Sequence, residues 1–458
     1  MHKPGTEQRP LKVAVIGSGP SGFYATEALF KSGLHVQVDM YERLPVPYGL
    51  VRSGVAPDHP KLKQAMQVYA GIAETPGFRF FGNVTIGKDI PVHLLQSVYD
   101  ASIYTCGAES DRRLGIKGED LPGSHTATEF VGWYNGHPDY RDKTFDLSQE
   151  TAVIFGQGNV AADVSRILAK TQNELKNTDI AAHALDVLAN SKIRNIHVVG
   201  RRGPAQAKFT SKELKEFGDL ENCIATVDPG ELSLNPASEV ELADKTNAGT
   251  RKIFELFTEF SQTPREPGKR QVHFSFLKSP IEITGRQGVE KITLELNRLR
   301  GDAFNQSAEG TGTMIELETG IVFRSIGYKG KPIPGLPFDE KRGIIPNQDG
   351  RIMDGNKVVP RQYVAGWIKR GPTGIIGTNR ADSVATVQSL LIDIQNVGPE
   401  SYQTENTDPL AILSSTGIRV VNFQDWKKID QIEIARGVPE SKPREKITRV
   451  SEILQLLE

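Results

Sequence analysis

The sequence predicts an α/β fold built on parallel sheets, with two Rossmann-like dinucleotide-binding units in three layers. Three observations carry that prediction. Gly17-Ser18-Gly19-Pro20-Ser21-Gly22 follows the apolar run Leu11–Ile16 directly and opens a helical stretch. Gly156-Gln157-Gly158-Asn159-Val160-Ala161 repeats that placement after Val153-Ile154-Phe155. Beyond each helical stretch stands a second short apolar run, at residues 36–41 and 195–199. Strand, tight turn, helix and returning strand form the unit from which parallel sheets are made.

In the first unit, residues 23–31 read as a helix that Gly33 terminates. Residues 36–41 form the next strand, ending at Glu42, which lies 20 residues after Gly22. A lone GxGxxG is a weak signal; between strand and helix, with an acid at this distance, it points to a dinucleotide. Gly17 permits the tight turn, Gly19 lets a pyrophosphate approach the backbone, and Gly22 lets helix and strand pack closely. The helix N-terminus offers unpaired N–H groups to the phosphates. The Glu42 carboxylate suits the two free hydroxyls of an adenosine ribose, as in FAD. Residues 44–60 are dense in Pro45, Pro47, Gly49, Gly54, Pro57 and Pro60, which predicts a shaped loop over the cofactor. Residues 61–73 read as a helix, and 78–81 and 101–105 as strands, closing on Cys106-Gly107-Ala108.

In the second unit, a helix over 160–170 leads to the strand at 195–199, which ends in Gly200-Arg201-Arg202. Two arginines stand where the first unit has an acid. Guanidinium forks suit a 2′-phosphate, so this site predicts NADP rather than NAD. Residues 171–192 are an insertion, helical in part. Helices are expected over 209–217, with Lys212, Glu213 and Lys215, and over 251–260. Strands are expected at 272–276, 282–284, 291–299, 322–328 and 362–365. The stretch from Gly366 to Asn379 is a Gly-rich turn whose amides suit an anionic ring edge, with Trp367 either covering an isoalloxazine or packed in the core. A helix over 381–394 follows, then a polar linker over 395–407 and helices over 426–436 and 446–457.

The 458 residues carry 55 basic and 56 acidic side chains, a formal charge of -1. So balanced a chain makes no global case for nucleic acid or an anionic membrane. The 2 cysteines, Cys106 and Cys223, exclude a disulfide scaffold, an in-chain four-cysteine cluster and a CxxC redox pair. No apolar run reaches membrane-spanning length. Met1-His2-Lys3-Pro4-Gly5 runs almost at once into a strand, so no signal or transit peptide is expected in these residues, and the expected location is cytoplasmic.

Together with Tyr48-Gly49-Leu50-Val51-Arg52, Gly54-Val55-Ala56-Pro57-Asp58-His59-Pro60, Gly200-Arg201-Arg202-Gly203-Pro204, Ile326-Gly327-Tyr328 and Gly366-Trp367-Ile368-Lys369-Arg370-Gly371-Pro372-Thr373-Gly374-Ile375-Ile376-Gly377-Thr378-Asn379, the two glycine turns carry a resemblance. Over about residues 12–397 the chain resembles the adrenodoxin reductase type of ferredoxin–NADP reductase. The resemblance implies an NADP domain, 109–329, inserted into a discontinuous FAD domain, 1–108 and 330–458, with 395–458 as its tail. It implies FAD contacts at Ser21, Glu42, Leu50, Val84, Trp367, Gly374, Ile375 and Ile376. It implies NADP contacts at Gln157, Gly158, Asn159, Val160, Arg201, Arg202, Glu213 and Gly374. Two departures stand out: Ser21 and Cys106 occupy positions where Ala is common.

The implied reaction passes a hydride from nicotinamide C4 to flavin N5, and then single electrons to an iron–sulfur ferredoxin or a flavodoxin. The alternatives are an NADPH-oxidising flavin subunit of a larger complex and a non-catalytic redox-sensing flavoprotein. His59 and Asp163 are the candidate catalytic pair, relaying a proton. The other reading is that His59 caps its loop and Asp163 packs the domains. An acidic ferredoxin calls for a local basic face, with Lys208, Lys212, Lys215, Arg251, Lys252, Lys269 and Arg270 as candidates. No metal ligand set is expected.

Overall fold

The computed structural model describes residues 3–264, 266–396 and 408–458. Two parallel sheets organise it. In the first, β1 (Leu11–Ile16) pairs with β2 (Val36–Glu42) and β4 (Ala101–Tyr104), and β3 (Phe78–Gly82) lies beyond β2, all parallel. Strand Lys357–Val364 adds on in parallel beside β4, and Arg351–Asp354 and Asn347–Gln348 close the edge antiparallel. The strands of this seven-stranded sheet thus come from two distant stretches of chain.

The second sheet is six-stranded, in the order Ser124–Thr126, Ile321–Arg324, Thr151–Phe155, Asn195–Val199, Arg270–Ser275, Cys223–Val227. All its pairings are parallel. Its central strands are buried on both faces: Ala152, Val153, Ile154, Ile196 and Val198 are each 0% exposed. That explains their continuous apolar runs, because helices cover one face and the antiparallel strands Lys278–Thr284, Lys291–Arg300 and Ser307–Glu318 cover the other. The chain crosses between the sheets twice, and the crossing segments Ser110–Asp111 and Tyr328–Lys329 pair antiparallel.

Several elements depart from expectation. Within the predicted loop 44–60, Gly49–Ser53 forms a short helix, entered through Tyr48 at φ 85°. The helix expected over 61–73 is split into Pro60–Lys63 and Ala65–Ala73. The helix expected over 209–217 is only Ser211–Lys215, capped by the Thr210 hydroxyl, which accepts from the Glu213 N–H. Strand Ser307–Glu318 was not foreseen; it is an exposed edge of an antiparallel three-stranded sheet, so its Gly and Thr residues carry no core-facing alternation. Helix Ile376–Asn396 starts before its expected position. Most of the linker expected over 395–407 lies outside the described residues.

The C-terminal segment packs against both halves. On one side Trp426 donates to the Tyr48 hydroxyl at 3.3 Å, and Glu433 pairs with Arg52. On the other, Lys446 and Asp179 are 2.9 Å apart, and Glu445 accepts from the Ala182 N–H. No described helix is long and apolar enough to cross a membrane.

Candidate functional site

At the first glycine turn, Gly17 has φ +106°, and a Cβ there would stand 2.7 Å from the Thr105 carbonyl oxygen. A Cβ on Gly22 would stand 2.1 Å from the Gly17 oxygen, so helix α1 (Pro20–Phe30) lies close against the strand end. At Gly19 a Cβ would meet nothing within 4 Å. The first and third glycines are therefore demanded by the protein's own packing. The second leaves backbone open to an approaching phosphate.

Glu42 ends β2 beside that turn. Its Oε2 accepts from the Ser18 N–H at 3.1 Å and the Ser18 hydroxyl at 2.7 Å, and its Oε1 accepts from the Leu44 N–H at 3.1 Å. Burial holds this carboxyl above its ordinary value, against the pull of those hydrogen bonds and of Arg43. The carboxylate is thus oriented next to the helix N-terminus.

The second turn repeats the construction. Gly156 has φ +135°, with a Cβ position 2.1 Å from the Ser325 oxygen, and Gly158 is open. Ala161, fully buried, stands where Gly22 stands in the first turn. Gln157 is pinned, donating from Nε2 to the Ser275 carbonyl at 3.0 Å, and its own carbonyl accepts from the Lys208 N–H at 2.7 Å. Asn159 accepts from the Thr210 N–H at 2.8 Å, and Val160 packs against the core of this half. Arg201 is exposed and Arg202 half-buried at the end of strand Asn195–Val199. Among the described residues neither guanidinium has a carboxylate within 4.0 Å.

Between the two turns lies a buried ionic seam. Arg166, on helix Asn159–Ala169, is 0% exposed. It holds Asp58 with a fork, Nε–Oδ2 at 2.7 Å and Nη2–Oδ1 at 3.1 Å, and Asp163 at 2.7 Å. Lys170 adds a contact to Asp58 at 3.0 Å. The expected partners His59 and Asp163 meet in this seam through charge, without a hydrogen bond between them. The His59 Nε2 sits 2.7 Å from Glu216 and 3.4 Å from Glu213, while Arg166, one helical turn away, takes Asp163. Glu213 faces His59 and Arg166 as well.

Burial disfavours the His59 cation, but the Glu216 hydrogen bond together with the charges of Asp58 and Asp163 lifts the imidazole above its ordinary value. Burial alone would raise Asp58; the Arg166 fork reverses this and holds it well below the carboxylate range. Burial leaves Asp163 raised.

The Gly-rich segment after strand Lys357–Val364 completes the site. Gly366, at φ +79°, leads into Trp367, which is half-buried and stacks on Tyr328 at 5.9 Å and 18°. Trp367 is therefore no ordinary core side chain. Gly374 has φ +84°, Ile375 is 68% exposed, and Ile376 begins the long helix. Leu50 is 44% exposed, whereas Val84 is buried under the Glu42 strand end. Ser21 is buried against Gly366, whose Cβ position falls 2.2 Å from the serine hydroxyl. Cys106 and Cys223 are both free, and burial pushes each thiol up to about 12.

Among the docking candidates, Lys208, Lys212, Lys215 and Lys252 are exposed. Arg251 and Arg270 are only half-exposed, and the Nη1 of each donates to backbone carbonyls. Arg251 donates to Leu242 and Asp244, and Arg270 to Leu168, Ala169 and Lys170, closing the end of helix Asn159–Ala169. Lys269 pairs with Glu266. Sequence reasoning missed Arg166 and Glu216 as site residues, because nothing in a helical pattern marks a charged residue as buried. Asp58 and Tyr328 were already visible inside the quoted motifs.

No family model matches the chain. It is 45% identical over 452 residues to the NADPH-ferredoxin reductase FprA of Mycobacterium leprae, covering 97% of this chain and 98% of that protein. It is 41% identical to the mitochondrial NADPH:adrenodoxin oxidoreductase of Arabidopsis thaliana, covering 97% and 95%. The structure of Mycobacterium tuberculosis FprA in complex with NADPH superposes with a TM-score of 0.92 at 44% identity, covering 98% of this chain and 99% of that one.

Proposed function

This chain belongs to the family of NADPH-dependent ferredoxin and adrenodoxin reductases, and from that premise we propose that it is an FAD-dependent NADPH–ferredoxin oxidoreductase. The observation that carries the reading is an asymmetry. Two glycine turns of the same build end in opposite charges, Glu42 at one and Arg201-Arg202 at the other. One suits a ribose with free hydroxyls and the other a 2′-phosphate.

The residues present fit both cofactors. Gly19 and Gly158 each leave a Cβ-sized space open at a helix N-terminus, where a pyrophosphate is received. Glu42, already oriented by Ser18, would hold the adenosine ribose of FAD. Gly366 to Ile376, with Trp367, would line the flavin, together with Leu50 and Val84. Arg201 and Arg202 would hold the NADP 2′-phosphate, with Gln157 to Val160 around the pyrophosphate. Bound side by side, the two cofactors supply hydride transfer from nicotinamide C4 to flavin N5, with onward delivery of single electrons. The chain's own task is to hold them in register and keep water out. His59 would hold a proton at Nε2 against Glu216 beside this site.

The halves would divide as 1–108 with 330–458 for FAD, and 109–329 for NADP. The two sheets and the paired crossings support these limits. Two unpaired thiols, Cys106 half-buried and Cys223 buried, support an electron acceptor outside the chain, an acidic ferredoxin or a flavodoxin. Lys208, Lys212 and Lys252 remain the proposed contacts.

Purified protein should be yellow, bleach anaerobically with NADPH far faster than with NADH, and then reduce an added ferredoxin. Colourless protein that takes up no FAD would overturn the reading.

A further inference from the structure

Arg166 touches neither glycine turn, yet its guanidinium lies where the two halves meet. It reaches Asp58 in the Pro/Gly-rich loop of the first half, and Asp163, Glu213 and Glu216 in the second. His59 uses the same carboxylates. The Glu216 Oε2 is 2.7 Å from the imidazole and 3.5 Å from Arg166, and the Glu213 Oε2 is 3.4 Å from each. Two cations thus share one pair of acids, and one of them also holds the residue next to the other in sequence.

We propose that Arg166 is a positioning residue for hydride transfer: it clamps the Asp58-His59 peptide to the helix of the second glycine turn and, by sharing Glu213 and Glu216 with His59, governs how the imidazole is held. The inference rests on the functional reading above only for the word hydride; the clamp itself is geometry.

The clamp has two mechanical consequences. A fork onto Asp58 fixes the loop in two directions, which a single ammonium contact does not. Helix Asn159–Ala169 begins at the open Gly158, so a loop fixed to this helix is fixed to the turn that would receive the nucleotide. The electrostatic consequence follows from sharing. Arg166 works against the His59 proton, and Glu216, Asp58 and Asp163 work for it. Glu213, Lys170 and the buried Tyr134 hydroxyl complete the charged and titratable groups around the seam. Removing the guanidinium leaves the shared carboxylates to His59 alone and strengthens its hold on the proton. Removing the Asp58 charge takes away an attraction and weakens it.

The test uses the full-length protein with histidine ring nitrogens labelled, the His59 signals being assigned by their loss in His59→Gln. In Arg166→Met the His59 titration should move up by about one pH unit or more, as expected for losing a neighbouring cation at this distance. In Asp58→Asn it should move down. Arg166→Lys should return the titration toward the wild-type value without restoring the rate of NADPH bleaching, since an ammonium supplies the charge but not the fork. A His59 titration unmoved in both Met and Asn variants would overturn the proposal and reduce Arg166 to a packing element. If Arg166→Met fails to fold, Asp58→Asn and Arg166→Lys decide the matter alone. None of these titrations requires turnover, so a failure of the oxidoreductase reading shows separately, as a protein that never bleaches.

Discussion

After the turn at Gly17 the returning strand ends in a half-buried carboxylate already held by Ser18; after the turn at Gly156 it ends in two guanidiniums with, among the described residues, no acid beside them. The supporting geometry is otherwise the same. In both, the first glycine sits at positive φ with its Cβ position against the carbonyl oxygen just beyond a neighbouring strand, Thr105 in one and Ser325 in the other. In both, the middle glycine faces open space. On the proposed reading the shared backbone packing would seat a pyrophosphate, and the residue at the strand end would select the nucleotide. Glu42 is preorganised and half-buried, suited to a cofactor that stays. Arg201 is exposed, suited to one that comes and goes.

The largest break of this comparison comes from the turns themselves. Gly22→Ala puts a methyl 2.1 Å from the Gly17 oxygen, and the purified protein should lose its flavin absorbance. Gly156→Ala meets the Ser325 oxygen at the same 2.1 Å, at φ +135°. It should stay yellow while NADPH binding weakens on the order of a hundredfold, as a few kcal/mol of backbone strain requires. If either variant harms both cofactors equally, the two seats are not independent.

A smaller effect separates the ribose readers. Arg201→Ala should raise KM for NADPH roughly ten- to a hundredfold, the cost of about 1.5–3 kcal/mol for a hydrogen bond to a charged group, and leave the NADH value alone. Glu42→Gln should instead loosen the flavin and leave the NADPH-to-NADH preference unchanged. Both are read by steady-state kinetics and by flavin released on dilution.

The smallest effect concerns the strap that joins the two regions. Burial, with help from Lys63 and Arg52, pushes Lys446 down to about 7 despite its contact with Asp179. A lysine that loses its proton more readily when folded makes the unfolded chain bind more protons above pH 7. Stability from this group therefore rises with pH between about 7 and its ordinary value, by about 1 kcal/mol from pH 7 to 8. Lys446→Met should flatten that rise in denaturant melts. An unchanged slope would place the proton elsewhere in the Lys63–Asp179–Lys446 group.

Both glycine turns, the strands beside them and the placement of Glu42 and the arginine pair at strand ends were legible in the linear chain. Each rests on a local demand: a positive φ, a helix start, a charge at a strand end. Those demands act within a few residues, so spacing reports them. The chain alone did not disclose that His59 takes Glu216 as its hydrogen-bond partner, that Arg270 closes a helix end, or that Arg166 is buried at a seam. Nor did it show that the C-terminal segment straps both halves. These are pairings between residues far apart in sequence, 108 positions for Asp58 and Arg166 and 157 for His59 and Glu216. A charged side chain carries no mark of its partner. Only packing decides which opposite charge it reaches, because a buried ion must be paired wherever the fold leaves it.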